Sequence, residues 1–167
     1  EKYYSKEDFL AAAREDFSGA FDILKDKPRN TDLEGYVFPD TYQIYLEESP
    51  DEFIKSALSN LEKKITAKMR EDIFDQKKSI FEIITMASIL EKEVKSAEDK
   101  RVVAGILWKR IKKGIPLQVD STVNYITHKN DARVALKDTK FDSPYNTYKY
   151  YGLPKGPISN PGQDSIM

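Results

Sequence analysis

The chain of 167 residues contains no cysteine. Disulfides, thiol catalysis and thiolate metal sites are therefore excluded. There is a single histidine, His128. Metal sites built from several histidines are excluded with it, and a Ser–His pair could form only through that residue. Neither sign of charge is in excess: 27 Lys and Arg face 28 Asp and Glu, for a net charge of −1. No overall basic field is present to draw in nucleic acid. No apolar run approaches the ~18 residues that a membrane span requires, and no signal peptide is visible. A Gly-rich phosphate loop is also lacking, so a lyase chemistry using pyridoxal phosphate has no anchor. Acid–base work is left mainly to carboxylates. The sequence opens at EKYYSKEDF without a Met and reads as a piece excised from a longer chain.

What is present suits one globular domain with a real core. Hydrophobic residues make up 40% and charged residues 33%, ordinary for such a domain. Ser5 followed by Asp8 and FLAAARED predicts a first helix. Ser49-Pro50-Asp51-Glu52 supplies an N-cap, a proline at the first helical position and a Glu at N3. A helix is expected from Pro50 to about Arg70, with Phe53, Ile54, Ala57, Leu58, Leu61 and Ile65 on one face. Ser79 with Glu82 forms a second capping box and opens a helix to about Lys95. Ser96 with Asp99 opens the next, with Val102, Val103, Ile106, Leu107 and Ile111 as its apolar side and Gly114 as a left-handed stop. Thr41 to Leu46 is strand-like, and Ile115 to Val119 is a short extended candidate. Asp120 could cap a helical turn through Ser121 to about Thr127. DSPYNTYKYYGLPKGPISNPG is dense in Pro and Gly and predicts a long loop system, which its four tyrosines keep ordered. The expected class is α+β: a mostly helical domain with short strands and a long ordered C-terminal loop region.

One residue stands out within ASILEKEV, residues 87 to 94. At ~100° per residue, Ile80, Ile84, Ala87, Glu91 and Val94 share one narrow arc, with Ile83 and Leu90 beside it. Glu91 thus points where the apolar residues point. Glu93 lands on the far side, as a solvated residue. Burial and the negative helix C-terminus both oppose ionisation of Glu91, raising its pKa above the usual ~4.3. A carboxyl still protonated near neutral pH is what a general acid needs. Lys92 and Lys95 lie close in sequence and could partly reverse this. A structural, ion-paired Glu91 fits the same periodicity.

Four blocks bear on that choice. In order they are LEGYVFPDTY (Leu33 to Tyr42), ASILEKEV, LWKRIKKGIPLQVDSTVNY (Leu107 to Tyr125) and SPYNTYKYYGLPKGPISNPG (Ser143 to Gly162). Together they resemble the endolytic murein transglycosylases of the MltG (YceG-like) family, over roughly Asp32 to Gly162. The resemblance implies a lytic enzyme that cleaves the MurNAc–GlcNAc β-1,4 bond inside peptidoglycan glycan strands and leaves a 1,6-anhydro-MurNAc end. It implies Glu91 as the catalytic residue, with no metal or cofactor. It also implies action at the extracytoplasmic face of the bacterial membrane, with a single-pass anchor on the full-length protein, and it suggests wall synthases as partners. The family's membrane helix and LysM-like portion are not evident, so residues 1–167 are expected to be a single, monomeric catalytic domain. Two positions depart from the family pattern: Ser121 and Lys155 stand where prolines are common.

Further candidates line up around Glu91. Tyr145, Asn146, Thr147 and Tyr148 offer aromatic faces, amide and hydroxyl groups suited to sugars; the same cluster could simply pack the loop. Gln118, Asp120 and Ser121 are the next substrate-binding candidates. Asp120 is either a second carboxylate or an N-cap. Glu34 is a third polar candidate, or a loop residue that satisfies backbone. His128 reads as a surface residue, while Gly156, Pro157 and Pro161 read as shaping the loop. A hydrolytic muramidase using Glu91 and Asp120, and an inactive peptidoglycan-binding scaffold, remain as alternatives.

Overall fold

The structure, a computed structural model, describes residues 4–129 and 133–167. Its elements are seven helices among those residues: α1 (Lys6–Ala12), α2 (Pro50–Lys64), α3 (Ala67–Asp75), α4 (Ile80–Glu93), α5 (Ala97–Lys112), α6 (Asp120–Thr127) and α7 (Gln163–Ile166). Short 3-10 turns lie at Asp22–Leu24 and Asp138–Lys140. No strand occurs among the described residues, so the expected α+β class is corrected to all-helical. Residues 41 to 45 form no regular structure, and the Tyr42 hydroxyl donates to Phe38 O at 2.6 Å. In the stretch from Ile115 to Val119, Gln118 adopts a left-handed φ of +53°, which breaks the regular extension a strand needs.

The expected caps form. The capping boxes Ser49/Glu52 and Ser79/Glu82 are both complete, and the Ser5 and Ser96 side chains accept from the backbone N–H groups of Asp8 and Asp99. The helix predicted to reach Arg70 is two helices. Ile65 leaves helical geometry at ψ 86°, and Thr66 caps α3 by accepting from Met69 N. Asp120 is not the N-cap of α6; Val119 holds that position and Asp120 is the first helical residue. Gly114, at φ +64°, follows the end of α5 as expected. On α5, Val102 and Ile106 face solvent at 59% and 53% exposure, whereas Val103, Leu107 and Ile111 pack inward.

α4 is the axis of the molecule, and every residue from Ile84 to Leu90 is buried. Ile84 and Ala87 join a cluster with Tyr36, Phe38, Ile54, Leu58, Leu61 and Ile65. Met86, Ile89 and Leu90 join a second with Leu107, Leu117, Val119 and Ile158. A helix buried this widely leaves its own polar side chains to find partners in what packs on it. The Ser88 hydroxyl accepts from Ile158 N at 3.0 Å, and Ser159 Oγ donates to Ser88 O at 2.9 Å. The C-terminal loop is thereby fastened along α4 toward Glu91.

Candidate active site

Glu91 lies in the last turn of α4, half-buried, with 33% of its side chain in solvent. Three donors converge on one of its oxygens, Oε2. Ser165 Oγ of α7 lies at 2.5 Å, Gly162 N at 3.1 Å and Lys100 Nζ of α5 at 3.2 Å. Among the described residues no donor reaches Oε1. Burial pushes the pKa of Glu91 up, but the bonds from Ser165, Gly162 and Lys100, with the charge of Lys100, outweigh it and hold the carboxyl below its usual range. The expected upward shift is therefore corrected. The apolar stripe of α4 does carry Glu91 inward, but the surface it meets is polar at that one point. Behind Lys100 and Ser165 lies a cavity of about 490 Å³, lined also by Met86, Leu90, Ala104 and Trp108.

Two loops frame the site. Asn160 Oδ1 accepts from Gly35 N at 2.9 Å and Val37 N at 3.1 Å, tying the loop that carries Glu34 to the one that carries Gly162. Gly35 has φ +90°, and a Cβ there would lie 2.5 Å from Pro157 Cβ. Only glycine lets the two loops approach this closely. Glu34 is half-buried, and its pKa is raised, first by burial and then by the charge of Asp32, with Lys92 acting in the opposite direction. Nearby, the rings of Tyr125 and Tyr145 sit 5.1 Å apart, tilted by 42°. Burial, then the charges around them, raises both phenols, that of Tyr125 to about 12.

The other predicted residues divide into two kinds. Asn146 and Thr147 are buried and engaged within the protein. The Asn146 amide donates to Thr139 O and Phe141 O and accepts from Tyr148 N. Thr147 Oγ1 accepts from Val119 N at 3.0 Å and shares a 2.9 Å hydrogen bond with Thr122 Oγ1. Asp120 accepts from the Tyr148 hydroxyl and from Val134 N. Burial and Asp120 push the Tyr148 phenol up to about 12. Gln118 is exposed and accepts from Arg110 Nη2 at 3.0 Å. Ser121 N donates to Glu93 Oε1 at 3.2 Å, so Glu93 is exposed yet caps α6. The Ser121 hydroxyl is buried and has no partner among the described residues.

Lys100, Asn160 and Ser165 were not among the sequence candidates. Lys100 had a readable signal: the Ser96/Asp99 cap fixes the start of α5, and Lys100 then falls on the stripe of Val103, Leu107 and Ile111. Asn160 and Ser165 carry no periodic signal, because a loop and a four-residue helix place them.

Residues 3–167 match the profile of the YceG-like family. The endolytic murein transglycosylase of Bacillus subtilis is 39% identical over 133 residues, covering 80% of this chain and 37% of that protein. The protein of the same name from Streptococcus pneumoniae is 33% identical over 148 residues, covering 86% of this chain and 27% of that protein. The crystal structure of a yceG-like protein from Listeria monocytogenes is similar with a TM-score of 0.82 at 32% identity, over 98% of this chain and 56% of that one. The chain thus spans well under half the length of the two curated relatives.

Proposed function

The chain belongs to the YceG-like family, and we propose that it is the catalytic part of an endolytic peptidoglycan lytic transglycosylase. It cleaves MurNAc-β-1,4-GlcNAc bonds within glycan strands and leaves 1,6-anhydro-MurNAc ends. The observation that carries this reading is Glu91, anchored through Oε2 by three donors while no donor among the described residues reaches Oε1. The names of the Bacillus and Streptococcus relatives support the same chemistry. Its substrate places its action at the extracytoplasmic face of the membrane, in a full-length protein carrying an anchor. No described helix is long and apolar enough to cross a membrane. Wall synthases are its proposed protein partners.

Without substrate, the lowered pKa of Glu91 keeps it a carboxylate. A bound glycan covers the exposed third of its side chain, and the added burial raises its affinity for a proton. Protonated Glu91 then gives that proton to the glycosidic oxygen, and the bond from that oxygen to MurNAc C1 breaks. Positive charge develops at C1 and the ring oxygen. The C6 hydroxyl of the same sugar closes onto C1, and its proton passes to Glu91. The carboxyl is restored, and no water is consumed. Hydrolysis would call for a second carboxylate. Asp120, the residue the sequence nominates, is already committed to Tyr148 and Val134.

Digestion of purified peptidoglycan strands by the protein and by Glu91→Gln, with products weighed by mass spectrometry, tests the reading. Internal fragments ending in 1,6-anhydro-MurNAc, absent with the variant, are expected. Products one water heavier would establish a muramidase instead. Binding without cleavage by either protein would establish a scaffold.

A further inference from the structure

Lys100 is the most buried charged side chain at the site, with 7% of its surface in solvent against 33% for Glu91. A buried ammonium is costly unless it is paired. Its partner is Glu91 Oε2 at 3.2 Å. The turn through Val94, Lys95 and Ser96 folds α5 back on α4, and the first turn of α5 brings Lys100 beside the C-terminus of α4. That end of α4 is the negative pole of its dipole, where a carboxylate is otherwise disfavoured.

We propose that Lys100 is a positioning residue for the transglycosylase reaction: its ammonium holds Glu91 by Oε2, aims Oε1 at the scissile bond and supports the carboxylate once the proton has left. This rests on the reading of Glu91 as the acid and base. The asymmetry of the pair favours this role over a purely structural one. Here the cation is enclosed and the carboxylate reaches the surface, so the pair holds Glu91 where a ligand can meet it. Three donors from two segments, α5 and the capped start of α7, meet on one oxygen, which fixes the rotation of the carboxyl as well as its place. When Glu91 gives up its proton to the glycosidic oxygen, the new negative charge arises beside a cation already in position, so little reorganisation accompanies the step.

Other charged groups lie near the pair. Glu93 on α4 accepts from Ser121 N, and the charge of Lys92 acts on Glu34. Arg101 on α5, Asp164 on α7, and Asp72 and Asp75 on α3 line the same cavity as Lys100. From α7 and the preceding loop, Glu91 meets the neutral groups Ser165 Oγ and Gly162 N. Lys95 lies in the turn after α4 and is exposed. Lys100 is thus the cation in contact with the carboxyl.

The test is a titration of the Glu91 carboxyl by carbon-13 NMR in the intact protein, in Lys100→Met and in Lys100→Arg, alongside cleavage rates across pH. In Lys100→Met the Glu91 midpoint should rise by about one pH unit or more. The rate limb set by loss of the Glu91 proton should move up with it. The kcat at the optimum should fall by about tenfold or more, with KM little changed. Lys100→Arg should restore a low midpoint and most of kcat. If the Met variant does not fold, Lys100→Gln, which keeps a donor without the charge, carries the same expectation for the midpoint. An unmoved midpoint in a folded neutral variant, with cleavage still lost in Glu91→Gln, would overturn the inference alone. Intact cleavage by Glu91→Gln would overturn the reading on which it rests.

Discussion

Glu34 and Glu91 are both half-buried carboxyls beside the C-terminal loop, and their surroundings pull them in opposite directions. Burial is the largest single influence on each. At Glu34 the next influence is the charge of Asp32, which adds to burial. At Glu91 it is the set of bonds from Ser165, Gly162 and Lys100, which overcomes burial. The lesson is that burial alone does not set the protonation of a site carboxyl; the donors aimed at it do. The two surroundings are joined by one clamp, in which Asn160 binds the loop after Glu34 and lies two residues before Gly162.

The largest break in the comparison should come from Glu91→Gln, which keeps the shape and removes the transferable proton. Strand cleavage should fall by about 100- to 10,000-fold, read as the initial rate of fragment release. Next is Gly35→Ala, which would place a Cβ 2.5 Å from Pro157 Cβ and 2.9 Å from Ile84 Cγ2 at a φ of +90°. It should cost about 2–4 kcal/mol of stability in denaturant unfolding and loosen both loops together.

Smaller and sharper is the sign of the pH dependence. Glu91 binds its proton less readily when folded, so it contributes stability above the usual carboxylate pKa and loses it as pH falls through its folded value. Glu91→Gln should therefore be destabilised at pH 7 and less so in acid. A loss of about 1–2 kcal/mol at pH 7 is expected, below that of a fully buried pair because a third of Glu91 is in water. Glu34 behaves oppositely. Its stabilisation is complete below the usual carboxylate pKa and is lost as pH rises through its raised value. Glu34→Gln should be slightly more stable than the parent at pH 7, by about 0.5 kcal/mol or less, and equal to it near pH 4. Thermal melts of both variants at the two pH values check the pair.

Much of this arrangement could be read from residue order. Ser49, Ser79 and Ser96 announced three helix starts, because a capping side chain and its partner are local in sequence. The inward direction of Glu91 followed from the period of α4. The missing strands had no such local sign. Thr41 to Leu46 has the composition of a strand, but pairing depends on a partner elsewhere in the chain. The left-handed Gln118 is likewise set by its bond to Thr147 O, not by its own preference. The protonation of Glu91 is not legible from its helix, because its decisive donors, Lys100, Gly162 and Ser165, lie 9 to 74 residues away. Lys100 alone among them was within reach of periodicity, as a charged residue on an apolar stripe facing another.

The proposed reaction needs one carboxyl, Glu91, and no water. Digestion of peptidoglycan strands in water enriched in oxygen-18 tests it most directly. The account predicts new ends as 1,6-anhydro-MurNAc carrying no heavy oxygen. Heavy oxygen at C1 of the newly formed ends would contradict it and would mean that a second group activates water in this cleft.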